Sequence, residues 1–321
     1  MSPPSHMRAM VYDRYGPPEV LRLAEVPTPR PGPNQVLVQV EATSLNLSDW
    51  ECLVGSPLYA RIGGLRTPAR SILGFDIAGH AVAIGSEVTR FAPGDAVYGH
   101  APGGGLAEYA LVSENALSPK PETLSFVEAS TLPEAGTIAL QGTAGLEPGQ
   151  RLLVNGAGGG SGSFAIQVAK RAGAHVTGVD NAAKLEFMRL VGADEVVDYR
   201  STDFTRLPPF DRILDLVAGR SVFALRRALS PGGRYQCVGG TTRALLRVLT
   251  VGTVVGRLTG RRMGVLAVRQ GPEHFQPLEA LCTSGEVTVH LDGVFPLHET
   301  PEAIARVGYG QALGKVVVTP T

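Results

Sequence analysis

The stretch Leu152–Asp180, "LLVNGAGGGSGSFAIQVAKRAGAHVTGVD", decides the fold. With Arg151 before it, the opening apolar run reads as a buried strand ending at Asn155. Five glycines follow between Gly156 and Gly162. "GSFAIQVAKRAG" then has the apolar spacing of an amphipathic helix, and "HVTGVD" reads as a second buried strand. The series Ala157-x-Gly159-x-x-Gly162 is a dinucleotide fingerprint with alanine in the first position. The small first residue permits a tight turn. Gly159 lets the backbone approach a pyrophosphate, and Gly162 lets helix and strand pack closely. Gly160 and Ser161 open the helix, whose free N–H groups and positive dipole end suit phosphate. Asp180 follows at the distance, roughly twenty residues, where an acidic residue meets the adenine ribose. A P-loop is excluded, because no Lys-Ser/Thr pair follows the glycines.

Outward from this loop the chain keeps alternating. "AAKLEFMRLVGA" reads as helix, "EVVDY" and "RILDLV" as strands, "SVFALRRAL" as helix and "GRYQCVGG" as strand. Strand–helix alternation predicts a doubly wound parallel sheet with helices on both faces. The chain before about Lys120 has another texture. "QVLVQVEATSL" and "GFDIAGHAVAIG" are strand-like, "FAPGDAVYG" carries a turn, and the prolines of "VPTPRPGPNQ" exclude helix interior. Extended pieces return after Leu291 and end in "GKVVVTP". The expected domains are 1–120 plus 291–321, rich in strand, and 121–290, which binds nucleotide.

Composition narrows the function classes. The 321 residues are 44% hydrophobic and 18% charged, which supplies a sizeable core. Lys+Arg 29 balances Asp+Glu 29, so no global field attracts nucleic acid or an anionic membrane. No run is long and apolar enough to span a bilayer. The start resembles neither a signal peptide nor a presequence. Cys52, Cys237 and Cys282 match no metal or disulfide spacing and read as inert thiols in a reducing cytoplasm.

Taken together, the blocks resemble one family. "PGPNQVLVQVEATSLNLSDW", "ILGFDIAGHAVAIGSEVTRFAPGDAVYG", "GGLAEYALV", the glycine stretch, "VGADEVVDYRSTDF" and "ALGKVVV" fall in the order of the medium-chain dehydrogenase/reductase superfamily. They resemble its zinc-free quinone oxidoreductase, zeta-crystallin-like branch. The resemblance implies a GroES-like β-barrel domain, a Rossmann domain and a catalytic cleft. Zinc-dependent relatives carry Cys where this chain has Asn46, and Gly-His-Glu where it has Gly74-Phe75-Asp76. They also carry a four-cysteine lobe that "YGHAPGGGLAEY" lacks. Neither Asn46 nor Phe75 is a zinc ligand, so no metal is expected. His80 and His100 lie nearby but read as histidines without ligand partners. Lacking a Lewis acid, hydride transfer is best directed at a quinone or an α,β-unsaturated carbonyl, which spreads its own charge.

The resemblance also assigns residues. Asn46 and Asp49 fall in the turn that faces the nicotinamide in relatives. Asp49 reads equally as a helix cap in "SDWECL". Tyr59 falls near a substrate-pocket tyrosine, with packing as its bland alternative. Thr137, Gly239 and Lys315 fall at cofactor-binding positions. Asp180 favours NADH by repelling a 2′-phosphate, whereas Lys184 and Tyr199 match positions that grip it. NADPH is the expected cofactor, with NADH admitted by Asp180. The stretch "TTRALLRVLTVGTVVGRLTGRRMGVLAV" carries five arginines and is broken by Gly and Thr, which argues against one long helix. By resemblance it continues into dimer-forming strands, so a homodimer is expected. A nucleotide-binding sensor or structural module without turnover stays open as the alternative.

Overall fold

The computed structural model describes residues 3–320. Two compact units emerge, Met1–Thr137 with Gln270–Thr321, and Ile138–Arg269.

The second unit holds six parallel strands. Across the sheet they run Glu195–Asp198, His175–Asp180, Arg151–Asn155, Phe210–Asp215, Leu229–Cys237 and Arg262–Val265. In chain order that is 3-2-1-4-5-6, the doubly wound arrangement whose direction reverses beside the first strand. The glycine loop leaves that first strand at the reversal. Leu153, Val179, Phe204, Phe210 and Tyr235 are among its buried core residues. Asp215 is also buried, and its carboxylate accepts from Asn155 Nδ2 (2.8 Å), Tyr235 Oη (3.0 Å) and the Val217 and Ala218 N–H groups. A buried carboxylate with four donors joins the ends of three strands where the loops begin.

The five-arginine stretch departs from expectation. Thr242–Arg247, a π turn at Val248–Gly252 and Thr253–Leu258 make one nearly continuous helical run. Packing overrides propensity here, for Ala244, Val248, Gly252 and Gly256 recur every fourth residue and are buried. A Cβ at Gly256 would stand 2.9 Å from Arg261 O, so glycine permits close approach to the following strand. The threonines bond back into the helix, Thr250 to Leu246 O and Thr253 to Leu249 O.

The first unit is built on a seven-stranded sheet and a separate two-stranded one. Its long strand Gln35–Leu45 pairs with Asp76–Ile84, Tyr109–Ser113 and Lys315–Thr319, all antiparallel. Apolar residues of alternating sense, such as Val36, Val38 and Val40, fill the interior with Ile77, Val97 and Val112. Both expected limits, 120 and 291, fall inside this unit. The helix Pro272–Thr283 belongs with the barrel, where Phe275 packs on Tyr98 and Gln276 bonds Ser118. Periodicity identifies such an element as a helix and says nothing of what it packs against.

Candidate active site

In the nucleotide-binding unit, the strand Arg151–Asn155 passes through Gly156, at φ +85°, into the helix Gly160–Arg171. The two diagnostic glycines differ physically. A Cβ on Gly162 would lie 2.5 Å from Gly156 O and 2.6 Å from Ala157 backbone atoms. No side chain fits there. A Cβ on Gly159 would find only Gly156 O, at 3.7 Å, an ordinary contact. Nothing within the protein requires glycine at 159, and the space beside it is what a pyrophosphate would fill. Ala157 is fully buried, and Gly160 and Ser161 present first-turn N–H groups to that space. The loop therefore fits a dinucleotide.

Asp180 is already engaged. Its Oδ2 accepts from Gly158 N–H at 3.0 Å and lies 3.7 Å from Lys184 Nζ, while Oδ1 accepts from Asn181 N–H. Lys184 is 4% exposed, so it is no solvated helix-start cation. Tyr199, by contrast, is 41% exposed, with the Arg200 guanidinium 5.7 Å from its ring centre. Gly239 adopts φ +72° in the turn after the strand Leu229–Cys237.

In the barrel unit, strand register assembles a buried polar cluster. Asp76 and His100 are direct cross-strand partners, and the pairing of Val316 with Leu45 brings Lys315 beside Asn46. His100 Nδ1 lies 2.9 Å from Asp76 Oδ1. Asp76 Oδ2 accepts from Asn46 Nδ2 (2.8 Å) and from the Glu134 N–H (3.0 Å). Asn46 Oδ1 in turn accepts from Lys315 Nζ at 2.6 Å. Ser48 Oγ donates to Glu134 Oε2. The Asn46 orientation is unambiguous, since an ammonium only donates and a carboxylate only accepts. Asp76 is fully buried, Lys315 is 2% exposed, and the His100 side chain is 24% exposed.

Electrostatics follow from that burial. It pushes Lys315 down from the usual lysine range, against the pull of Asp76, Glu134 and Asp49. It raises Glu134, which the Asp76 charge raises further. Burial alone would lower His100, but the hydrogen bond and charge of Asp76, with Glu134 and Asp49 beyond, outweigh it and raise the imidazole pKa.

The remaining expected residues have mixed settings. Asp49 is fully buried, and both its oxygens accept backbone N–H groups, from Asn46 (2.9 Å) and Gly74 (2.8 Å). That is the helix-capping geometry, tying the start of Leu47–Val54 to the loop before Asp76. Burial pushes its carboxyl up to about 7 against those two N–H groups. The Tyr59 hydroxyl donates to the Glu51 carboxylate. Thr137 is fully buried, and its Oγ1 has no hydrogen-bond partner. Lys315 reaches Asn46 rather than open space.

Sequence reasoning missed Asp76, Glu134 and the pairing of His100. The signal existed only as a register, "GFD" and "YGH" at facing ends of two antiparallel strands. His80 does stand apart from the cluster, against the Phe126 ring.

A GroES-like sheet unit and a doubly wound unit with a dinucleotide loop define an oxidoreductase of the medium-chain dehydrogenase/reductase type. Residues 32–122 match the alcohol dehydrogenase GroES-like domain, and residues 191–318 match the zinc-binding dehydrogenase model. The chain is 33% identical to the chloroplastic quinone-oxidoreductase QR1 of Triphysaria versicolor, covering 98% of both. It is 32% identical to the 2-methylene-furan-3-one reductase of Solanum lycopersicum, over all of this chain and 81% of that one. The solved quinone oxidoreductase of Coxiella burnetii superimposes with a TM-score of 0.88 at 31% identity, over 98% of this chain and 100% of that one. The chain belongs to the quinone oxidoreductase family of the medium-chain superfamily. Among the described residues, no helix is long and apolar enough to cross a membrane.

Proposed function

We propose that this protein transfers hydride from NADPH to a quinone or an α,β-unsaturated carbonyl without a metal ion. The carrying observation is Asn46. It stands where zinc-dependent relatives carry Cys, and its amide is held between Lys315 and Asp76. The three ligand-type residues nearby, Asp76, His100 and Glu134, have donor atoms within 4.8 Å of one another. Their spacing supports reading them as a hydrogen-bonded cluster rather than a zinc site. The imidazole and carboxylate stand 2.9 Å apart, a hydrogen-bond separation. Two ligands of one tetrahedral zinc, each at about 2.0 Å from the ion, stand roughly 3.3 Å apart. The other Asp76 oxygen holds two N–H donors, and Lys315 already brings a cation to the cluster.

Bound NADPH supplies the hydride. The chain's residues bind and orient it. Free N–H groups of Gly160 to Gly162, beside the open face of Gly159, take the pyrophosphate. The Asp180 carboxylate, engaged by Gly158 and offset by Lys184, repels a 2′-phosphate less than a free one would, and this supports NADPH. Tyr199 and Arg200 offer an exposed ring and cation for the adenine end. Within the nucleotide-binding unit, the Gly239 turn serves the nicotinamide end. A conjugated acceptor suits a metal-free site because its own π system carries the developing charge. The names of the two relatives, one a quinone and one a furanone reductase, support that class.

We also propose a homodimer in the reducing cytoplasm. Arg262–Val265 is an edge strand, and the helical run before it exposes Leu246, Leu249, Val254 and Leu258. The three cysteines are free thiols. Solution scattering should give a dimer mass.

The deciding experiment follows NADPH fluorescence on binding, then its decay with 1,4-benzoquinone, 9,10-phenanthrenequinone and a panel of enones. Turnover should survive exhaustive chelation. Loss on chelation with recovery on zinc overturns the metal-free assignment. Binding without decay across the panel favours a nucleotide-binding module without turnover.

A further inference from the structure

We propose that His100 donates the proton that completes reduction, with Asp76 orienting it and Asn46 and Lys315 as positioning residues. This inference rests on the reductase reading above.

Hydride brings two electrons and one hydrogen to the acceptor carbon. The acceptor's π electrons then move onto its carbonyl oxygen, leaving an enolate or a hydroquinone anion. One more proton is needed, so acceptor plus hydride plus H⁺ gives the neutral reduced product. A metal-free site must supply that proton from a side chain or from water.

Most other titratable groups of this cluster are turned inward. Lys315 Nζ is held by Asn46 Oδ1 and Leu45 O. Glu134 is bonded by Ser48, and Asp49 by two backbone N–H groups. The Tyr59 hydroxyl is on Glu51. His100 differs. Its Nδ1 faces Asp76, and among the described residues of its unit no hydrogen bond reaches Nε2. A quarter of the side chain is exposed while its partner carboxylate is fully buried. The Phe75 ring stacks on the imidazole, 6.0 Å between centres and 20° between planes, and confines its tilt.

The layers behind Asp76 explain why it can hold this posture. Asn46 and Glu134 donors saturate Oδ2. Only Oδ1 remains, and it accepts the Nδ1 proton. The other proton of the imidazolium is thereby assigned to Nε2. A cross-strand ion pair kept for stability alone would not need its carboxylate fixed from two further elements.

In the step, Nε2–H gives its proton to the acceptor's oxygen, and the N–H electron pair stays on Nε2. Neutral His100 then takes a proton from water at its exposed edge. The groups facing it are Asp76 on the neighbouring strand, Glu134 on the helix Pro133–Thr143, Asp49 on Leu47–Val54, Lys315 on the last strand and Arg70, which stacks on Phe75. The three acids among them, Asp76 first, favour the protonated ring.

The test compares wild type with His100→Gln, His100→Ala and Asp76→Asn. The measurements are kcat and KM for NADPH and for a quinone or enone that the wild type reduces, from pH 5 to 9. His100→Gln should lower kcat about 10²-fold while NADPH fluorescence titration stays unchanged. The wild-type kcat should fall as pH rises past the imidazole, because the donor must be protonated. That limb should vanish in His100→Gln and move to lower pH in Asp76→Asn. Added imidazole should restore His100→Ala, which a structural role would not allow. Unchanged kcat and an unchanged limb in His100→Gln, or no imidazole rescue of folded His100→Ala, overturn the proposal. If His100→Gln fails to bind NADPH, the Asp76→Asn limb and the rescue decide. A wild type that reduces nothing in the panel fails the reductase reading instead.

Discussion

The glycine loop and the barrel cluster are two kinds of site in one chain. The loop is made of backbone over seven consecutive residues, and its ligand group is the N–H. The cluster is made of side chains from Asn46, Asp76, His100, Glu134 and Lys315, up to 269 residues apart. Removing side chains makes the first site, and burying them makes the second. The loop tolerates no added volume at the position where the chain touches itself, but its phosphate face is open. The cluster instead depends on its buried polar atoms being partnered, since an unpaired buried group costs roughly 1–3 kcal/mol.

The sharpest test of this contrast sets two glycines against each other. Gly162→Val should destabilise the apo protein by about 3 kcal/mol, because the new atoms meet backbone that cannot yield. Gly159→Val should leave the urea midpoint of the apo protein nearly unchanged and abolish NADPH binding in a fluorescence titration. Equal losses of stability in both would remove the distinction between a packing glycine and a ligand glycine.

A smaller effect is expected at Asp180, whose carboxylate reaches into the loop beside the Lys184 side chain. Asp180→Ser should move the NADPH/NADH ratio of kcat/KM toward NADPH by about tenfold, roughly 1.4 kcal/mol of transition-state binding. A shift toward NADH would mean that the Asp180–Lys184 pair holds Lys184 for the 2′-phosphate.

The smallest expected effect lies beside the cluster and reads its burial through pH. Burial pushes the Glu51 carboxyl from 4.5 up to about 7, with the Tyr59 hydrogen bond acting the other way. The folded protein then keeps a proton that the unfolded chain releases near 4.5. Stability from this group is present below about 4.5 and is lost as pH rises toward 7. Burial moves Asp49 in the same direction. Glu51→Gln should flatten the decline in urea midpoint between pH 5 and 7.5. A wild-type midpoint that rises over that interval would contradict buried acids in this region.

Read alone, the amino-acid sequence determined the doubly wound sheet, the dinucleotide loop and the family. Each is written in local periodicity or in consecutive small residues, and backbone geometry follows from such patterns directly. By the resemblance it carries, Asn46 and Phe75 read as standing where zinc-dependent relatives hold their ligands. The helical run Thr242–Leu258 escaped it, because local propensity counts Gly252 and Gly256 against a helix while tertiary packing requires them. Only the tertiary structure decided that Asp76 faces His100, that Lys315 holds Asn46, and that Asp180 is already paired. Strand register sets Asp76 against His100, 24 positions on, and Lys315 against Asn46, 269 positions away, while the loop brings Gly158 to Asp180; which strands pair, and in what register, is decided by packing and is not written in any local pattern.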